Sequence, residues 1–189
     1  MAKTPSTMVP LGTPAPDFAL PDCVDGNVVR RDDFAAAPAL LVMFICNHCP
    51  YVVHIRNGLV ALTRQWAARG VAVVAISAND PEAYPADAPE RMAEDKRRYD
   101  YPFPYLFDAT QEVAVAYHAA CTPDFFLYDR ERRLAYRGQL DGARPGNGVA
   151  VTGADLGQAI DKVLDGLAPS PEQRPSMGCN IKWRARRSS

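Results

Sequence analysis

Two cysteines separated by two residues, in Cys46-Asn47-His48-Cys49, are the part of this chain best suited to chemistry. They sit where an apolar run, Leu40 to Ile45, gives way to a helical pattern. A sulfur at the start of a helix meets unpaired N–H groups and the positive end of the helix dipole, and both favour thiolate over thiol. The thiolate is the nucleophile of disulfide exchange, so this spacing predicts a redox pair. On that reading Cys46, at the helix N-terminus and accessible, attacks, and Cys49, one turn inside, resolves the mixed disulfide. His48 would hold the Cys46 thiolate as a cation or hydrogen-bond donor, and its bland alternative is a solvated first-turn residue. A stabler thiolate is a better leaving group, which moves the pair toward an oxidising potential. Asn47 is suited to capping the helix.

Three more cysteines complete a count of five, an odd number for a disulfide scaffold. Cys121 reads as a small buried hydrophobe or as a neighbour of the redox pair. Cys179, beyond the last helical pattern, is either a third redox partner that folds back or a free thiol, and Cys23 reads as structural. His54 falls off the apolar helix stripe and reads as solvated. His118 ends an apolar helical stretch and suits a helix C-terminus. Lys182, Arg184, Arg186 and Arg187 make a basic, solvated tail with too few charges to argue nucleic-acid binding.

The elements that must position these residues follow from periodicity. Ala39 to Ile45 is apolar without alternation, as in a strand buried on both faces of a parallel sheet. Val52, Ile55, Leu59, Leu62 and Trp66 then recur in steps of three and four along one helix face, with Pro50 tolerated in the first turn and Gly70 as the stop. Val71 to Ile76 is a second buried strand, which makes a βαβ unit. Phe18 to Leu20 and Asn27 to Arg30 flank Asp25-Gly26 as a short hairpin. Capping-box spacings at Asp87/Glu90 and Asp108/Gln111 predict helices over 88–99 and 109–119, with a strand over 103–107 between them. Residues 124–128 and 133–136 form an antiparallel hairpin. Thr152 caps a last helix with the stripe Leu156, Ile160, Val163, Leu164 and Leu167.

With 189 residues, 48% of them hydrophobic and 23% charged, the chain suits one soluble domain with a proper core. A net charge of −1 gives no general attraction to nucleic acid or to an anionic membrane. No apolar stretch approaches the ~20 residues of a membrane span, and the amino terminus lacks the apolar core of a signal peptide. Those readings place the chain in the cytoplasm.

This order of elements, with Thr122-Pro123 directly before the hairpin, is similar to the thioredoxin fold. The lead-in Gly12-Thr-Pro-Ala-Pro-Asp-Phe18 resembles the start of the peroxiredoxin and membrane-anchored thioredoxin branch. The strings from Phe44 to Val52 and from Ser176 to Trp183 resemble a peroxiredoxin-like group with a CxxC motif within the AhpC/TSA, or redoxin, family. The resemblance spans about residues 10–183 and implies an α/β thioredoxin fold: a central mixed sheet flanked by helices, with an N-terminal hairpin, a middle insertion and a C-terminal tail. The domain is expected over 10–168 and the tail over 169–189. The resemblance also implies that Pro123 is cis and faces the CxxC across a shallow apolar groove, and that Thr122 offers its backbone to a substrate segment as an added strand. Asn47 joins Thr122 as a substrate contact. The activity implied is thiol–disulfide exchange with protein or small-molecule disulfides and dithiols, by a monomer or homodimer, with no bound cofactor or metal.

Two features depart from the family pattern. The Pro-x-x-x-Thr/Ser-x-x-Cys setting of a peroxidatic cysteine is missing around both Cys46 and Cys49, which opposes a thiol peroxidase. The strand Leu40 to Ile45 carries no carboxylate, which leaves the base for Cys49 unassigned. A soft-metal chaperone using Cys46, Cys49 and a histidine is the third reading; its usual cysteine spacing is longer than this one.

Overall fold

In the computed structural model, which describes residues 3–185, the apolar run Ala39–Phe44 is a strand with all six residues buried. Pleating explains why it cannot alternate. Leu41 and Met43 face one hydrophobic cluster while Leu40, Val42 and Phe44 face another on the opposite side of the sheet. In chain order the strands are β1 Lys3–Pro5, β2 Ala19–Pro21, β3 Val28–Arg30, β4 Ala39–Phe44, β5 Val71–Ser77, β6 Tyr105–Phe107, β7 Cys121–Thr122, β8 Asp124–Tyr128, β9 Leu134–Gly138 and β10 Met177–Asn180. The helices are α1 Pro50–Ala68, α2 Pro89–Tyr99, α3 Glu112–Ala116 and α4 Ala154–Leu164.

The central sheet runs β6-β5-β4-β8-β9, with β4, β5 and β6 parallel and β8 and β9 antiparallel. Helices α1 and α4 supply Val52, Ile55, Leu59, Leu156 and Ile160 to the cluster on one face. Phe18, Tyr117 and Ile181 close the other. This is the thioredoxin fold, with β2 and β3 as the expected N-terminal hairpin. Among the described residues no helix is long and apolar enough to cross a membrane.

Several boundaries differ from the sequence reading, each for a local reason. The helix expected over 109–119 shrinks to Glu112–Ala116, because Gln111 takes a left-handed conformation. The carboxylate of Asp108 then accepts the Ala114 N–H, and the helix does not extend back to it. Asp87 does not cap α2; its N-cap is Ala88, with no side-chain cap. Thr152 does not cap α4, whose N-cap is Gly153. The N–H groups of Thr152 and Gly153 donate instead to Asp141, at 2.7 Å each. Leu167 lies past the end of α4 and is exposed.

The largest difference is at the two ends of the chain. β1 and β10 pair with each other and β10 pairs with β7, so residues on either side of the expected 10–168 unit build one small sheet. Ile181 is buried in the core, and Lys182, expected in solvent, is buried with its Nζ donating to Asn180. Arg186 and Arg187 lie outside the described residues.

Candidate active site

The CxxC occupies the short passage from β4 to α1. Ile45 still donates to Ile76 in the sheet, at 3.0 Å, and the helix opens at Pro50. Proline favours the first helical position, where its missing N–H costs nothing. The N-cap is therefore Cys49, in extended backbone (φ −66°, ψ 122°). The sequence reading placed Cys46 at the helix end and in an accessible position; the structure gives the helix end to Cys49 and leaves Cys46 only 2% exposed. Cys49 is fully buried.

That exchange of places inverts the expected acidity. The Cys46 thiol, donating to Cys49, is the main cause that lowers the Cys49 thiol from 9.0 to about 4, against the opposing cost of burial. The Cys179 thiol, the Val52 N–H of the first turn and Thr122 assist. Cys46 moves the other way: its hydrogen bond to Cys49, then burial, then the charge of Asp87 raise it well above the ordinary thiol value. Of the two thiols Cys49 is therefore the more acidic.

Both sulfurs meet the same residue on the opposite strand. Cys46 Sγ lies 3.4 Å from Thr122 Oγ1, and Cys49 Sγ lies 3.0 Å from the Thr122 carbonyl oxygen. The Thr122–Pro123 peptide is cis, as expected. The open groove beside it is not there. β10 lies antiparallel on β7, with Cys179 opposite Thr122 and Asn180 opposite Cys121, so the backbone edge expected to receive a substrate strand is already paired. What remains beside Pro123 is a cavity of about 10 Å³, lined among others by Tyr51, Ile55 and Met177, room for one water at most.

The two central residues of the motif are held by the middle insertion. Asp87 is fully buried. Its Oδ1 accepts the backbone N–H of Asn47 at 2.8 Å and of His48 at 3.4 Å, and its Oδ2 accepts from Asn79 at 2.7 Å. His48 Nδ1 lies 2.6 Å from the same Oδ2. The imidazole stacks on Tyr84, with ring centroids 5.4 Å apart. Both ring nitrogens are buried, and neither makes a hydrogen bond among the described residues, the close Nδ1 approach to Asp87 lacking hydrogen-bond geometry. One ligand-type atom each of Cys46, His48 and Asp87 lie within 4.8 Å of one another. As a metal site this set is poor, because the carboxylate is already filled by protein donors.

A family-model match to the AhpC/TSA family covers residues 11–137. The chain belongs to the AhpC/TSA family. A curated relative, the thiol-disulfide oxidoreductase ResA of Geobacillus kaustophilus (strain HTA426), is 28% identical over 168 residues, which is 88% of this chain and 83% of that protein. A solved structure of an uncharacterized conserved protein from Geobacillus kaustophilus is 50% identical, with a TM-score of 0.96 over 100% of this chain and 99% of its own. A hypothetical protein from Sinorhizobium meliloti 1021 is 56% identical, with a TM-score of 0.94 over 96% of this chain and 99% of its own.

In this AhpC/TSA chain the other residues singled out fall as follows. Asn47 neither caps α1 nor opens toward a substrate. Its amide donates to Ala86 and accepts from the Tyr105 hydroxyl at 3.1 Å, and its carbonyl accepts from Arg56 at 2.9 Å. Cys121 is buried, its thiol directed at the Pro123 carbonyl, and burial raises its pKa strongly. Burial raises Cys23 to about 11. His54 and His118 are exposed. Asp87, Asn79, Tyr105 and Arg56 were not anticipated at the site. Asp87 did carry a signal, the capping-box spacing, but that spacing pointed to α2 and not to a loop forty residues upstream.

Proposed function

We propose that this thiol–disulfide oxidoreductase exchanges disulfides through Cys46 and Cys49, with His48 and Asp87 moving the proton. The observation that carries the reading is the placement of two buried sulfurs against Thr122, one of them at a helix N-cap and the other beside an imidazole–carboxylate pair. The imidazole, with Nδ1 2.6 Å from Asp87 Oδ2 and a ring nitrogen within 4.8 Å of the Cys46 sulfur, takes the Cys46 proton. Cys46, on the half-exposed His48 side, then attacks a substrate sulfur and forms the mixed disulfide. Cys49 follows without needing a base, because its thiolate is already held by the helix end and its neighbours. The ResA relative is named for the same class of reaction.

Substrates are disulfides and dithiols of proteins or small molecules, met from the side of His48 and Tyr84, since β10 fills the other edge. The odd cysteine count with a single CxxC fits a cytoplasmic working place, where thiols are kept reduced. The test is equilibration of the reduced protein in graded dithiothreitol redox buffers, followed by acid quenching, alkylation and peptide mapping. A reversible Cys46–Cys49 disulfide with a defined potential supports the reading; a protein with both thiols alkylated at every potential refutes it.

One observation favours a second reading, a thiol peroxidase. The hydroxyl missing from the motif is supplied from another strand, by Thr122 Oγ1 at 3.4 Å from Cys46 Sγ. Hydrogen peroxide turnover with a dithiol donor, lost in Thr122→Val, separates it from the first.

A further inference from the structure

We propose that Cys179 is a third redox cysteine of this site, one that takes the disulfide from the Cys46–Cys49 pair onto strand β10. The inference rests on the exchange chemistry proposed above and extends it to the C-terminal strand.

The placement of Cys179 is built into the fold on both flanks. On one side β10 is paired with β7, with Cys179 opposite the Thr122 whose oxygens touch both motif sulfurs. Gly178 lies so close that a Cβ there would overlap the Thr122 carbonyl group. Ser176 Oγ donates to the Pro123 carbonyl at 2.6 Å. On the other side β1 pairs with β10, opposing Lys3 to Cys179, and Ile181 anchors the following residues in the core. Cys179 is 4% exposed and belongs to the same buried cluster as Cys46 and Cys49.

Cys49 is the sulfur common to both neighbours. It shares one buried cluster with Cys46 and Cys179, and both thiols act to lower its pKa. An inert filler at position 179 would fill space equally well as an alanine or valine, yet would leave the Cys49 thiolate without its second donor. The thiol of Cys179, raised to about 12 by burial and then by its bond to Cys49, is silent while Cys49 carries charge. Once Cys49 is oxidised that charge is gone, and Lys182 beside it favours the Cys179 thiolate.

The step balances without an outside reagent. Cys179 Sγ attacks Cys49 Sγ, the Cys49–Cys179 bond forms, and the Cys46–Cys49 bond breaks. The electron pair of the broken bond stays on Cys46, which ends with the proton Cys179 gave up. One disulfide replaces another with no net oxidation. The result is a disulfide moved from the His48 side of the site to the β10 side.

The test uses the full chain carrying Cys46→Ser, treated with oxidised glutathione, quenched in acid, alkylated and mapped. The expected product is a Cys49–Cys179 disulfide, formed as Cys179 displaces glutathione from Cys49; adding Cys179→Ser should leave the glutathione adduct in place. A stable adduct on Cys49 beside a freely alkylated Cys179, or no reaction at either sulfur, overturns the proposal. Should Cys46→Ser not fold, wild-type protein poised near its midpoint must show two disulfides that share Cys49. Finding Cys46–Cys49 alone, with Cys179 alkylated at every potential, refutes the relay and leaves the exchange reading intact. Failure of the wild type to form Cys46–Cys49 at all is the separate failure of that reading.

Discussion

A sulfur at an N-cap and a sulfur three residues before it differ in acidity, and which loses its proton first decides the order of events at this site. Cys49 sits at the cap and is lowered to about 4, so the ultraviolet absorbance of a thiolate should persist down to that range in the reduced protein. Cys49→Ser should abolish this acid-titrating thiolate, whereas Cys46→Ala should keep it and shift its midpoint upward by loss of the leading hydrogen bond. The opposite pattern would return the thiolate to Cys46. Asp87→Asn keeps a side chain of the same shape but removes the carboxylate beside His48 Nδ1. Exchange should slow by roughly a hundredfold at neutral pH, the low side of what a positioned acid–base group contributes, with stability changed far less. Equal losses in rate and in folding would make Asp87 a scaffold residue alone. The CxxC and Thr-Pro pairing were legible because each is a local signal. The cap was also legible and was misread: Pro50 prefers the first helical position, which makes the residue before it the N-cap. Asp87 was not legible, since nothing local ties it to residues 46–48.

At the level of elements the site depends on β10, a four-residue strand with a neighbour on each side. Gly178→Ala forces a methyl group against the Thr122 carbonyl, a contact that backbone cannot yield to cheaply. Overpacking of this kind costs ~1–3 kcal/mol, so the thermal midpoint should fall. Cys49 and Cys179 should become alkylatable under native conditions as β10 lifts. An unchanged labelling rate would mean that β10 does not control access to the sulfurs. Sequence alone could not trace this strand, because a two- or three-residue pairing has no periodicity to detect and residues 169–189 read as a tail. The central strands were legible for the opposite reason: a run such as Leu40 to Ile45 has no stable place except between two covered faces.

For the molecule as a whole, two buried groups set opposing responses to pH. Asp124 opens β8 with Oδ2 accepting from Ala120 at 3.2 Å, while Oδ1 has no hydrogen-bond partner among the described residues. Burial raises its carboxyl from 3.8 to about 8. The folded chain keeps a proton there that the unfolded chain loses, so this contribution to stability is complete below 3.8 and drains away as pH rises to about 8. Cys49 runs the other way: its contribution is complete above 9.0 and is lost as pH falls toward about 4. Asp124→Asn should therefore leave a melting temperature that climbs with pH between those limits, and Cys49→Ser one that declines. Two variants with parallel curves would show that neither group governs the response. Asp124 read in sequence as an ordinary first residue of a strand, since a carboxyl without a cation is not expected inside a core.

The strand that covers Cys49 follows the motif and β7 in chain order, and ribosomal synthesis makes that order a matter of timing. While residues 177–180 are still to be made, a nascent chain already carries the motif cysteines and the Thr122 segment, with nothing yet to pair along it. In that interval the protein offers an unmated backbone edge and an unshielded sulfur to whatever passes. A message cut short before Gly178 would yield a chain fixed in that open condition.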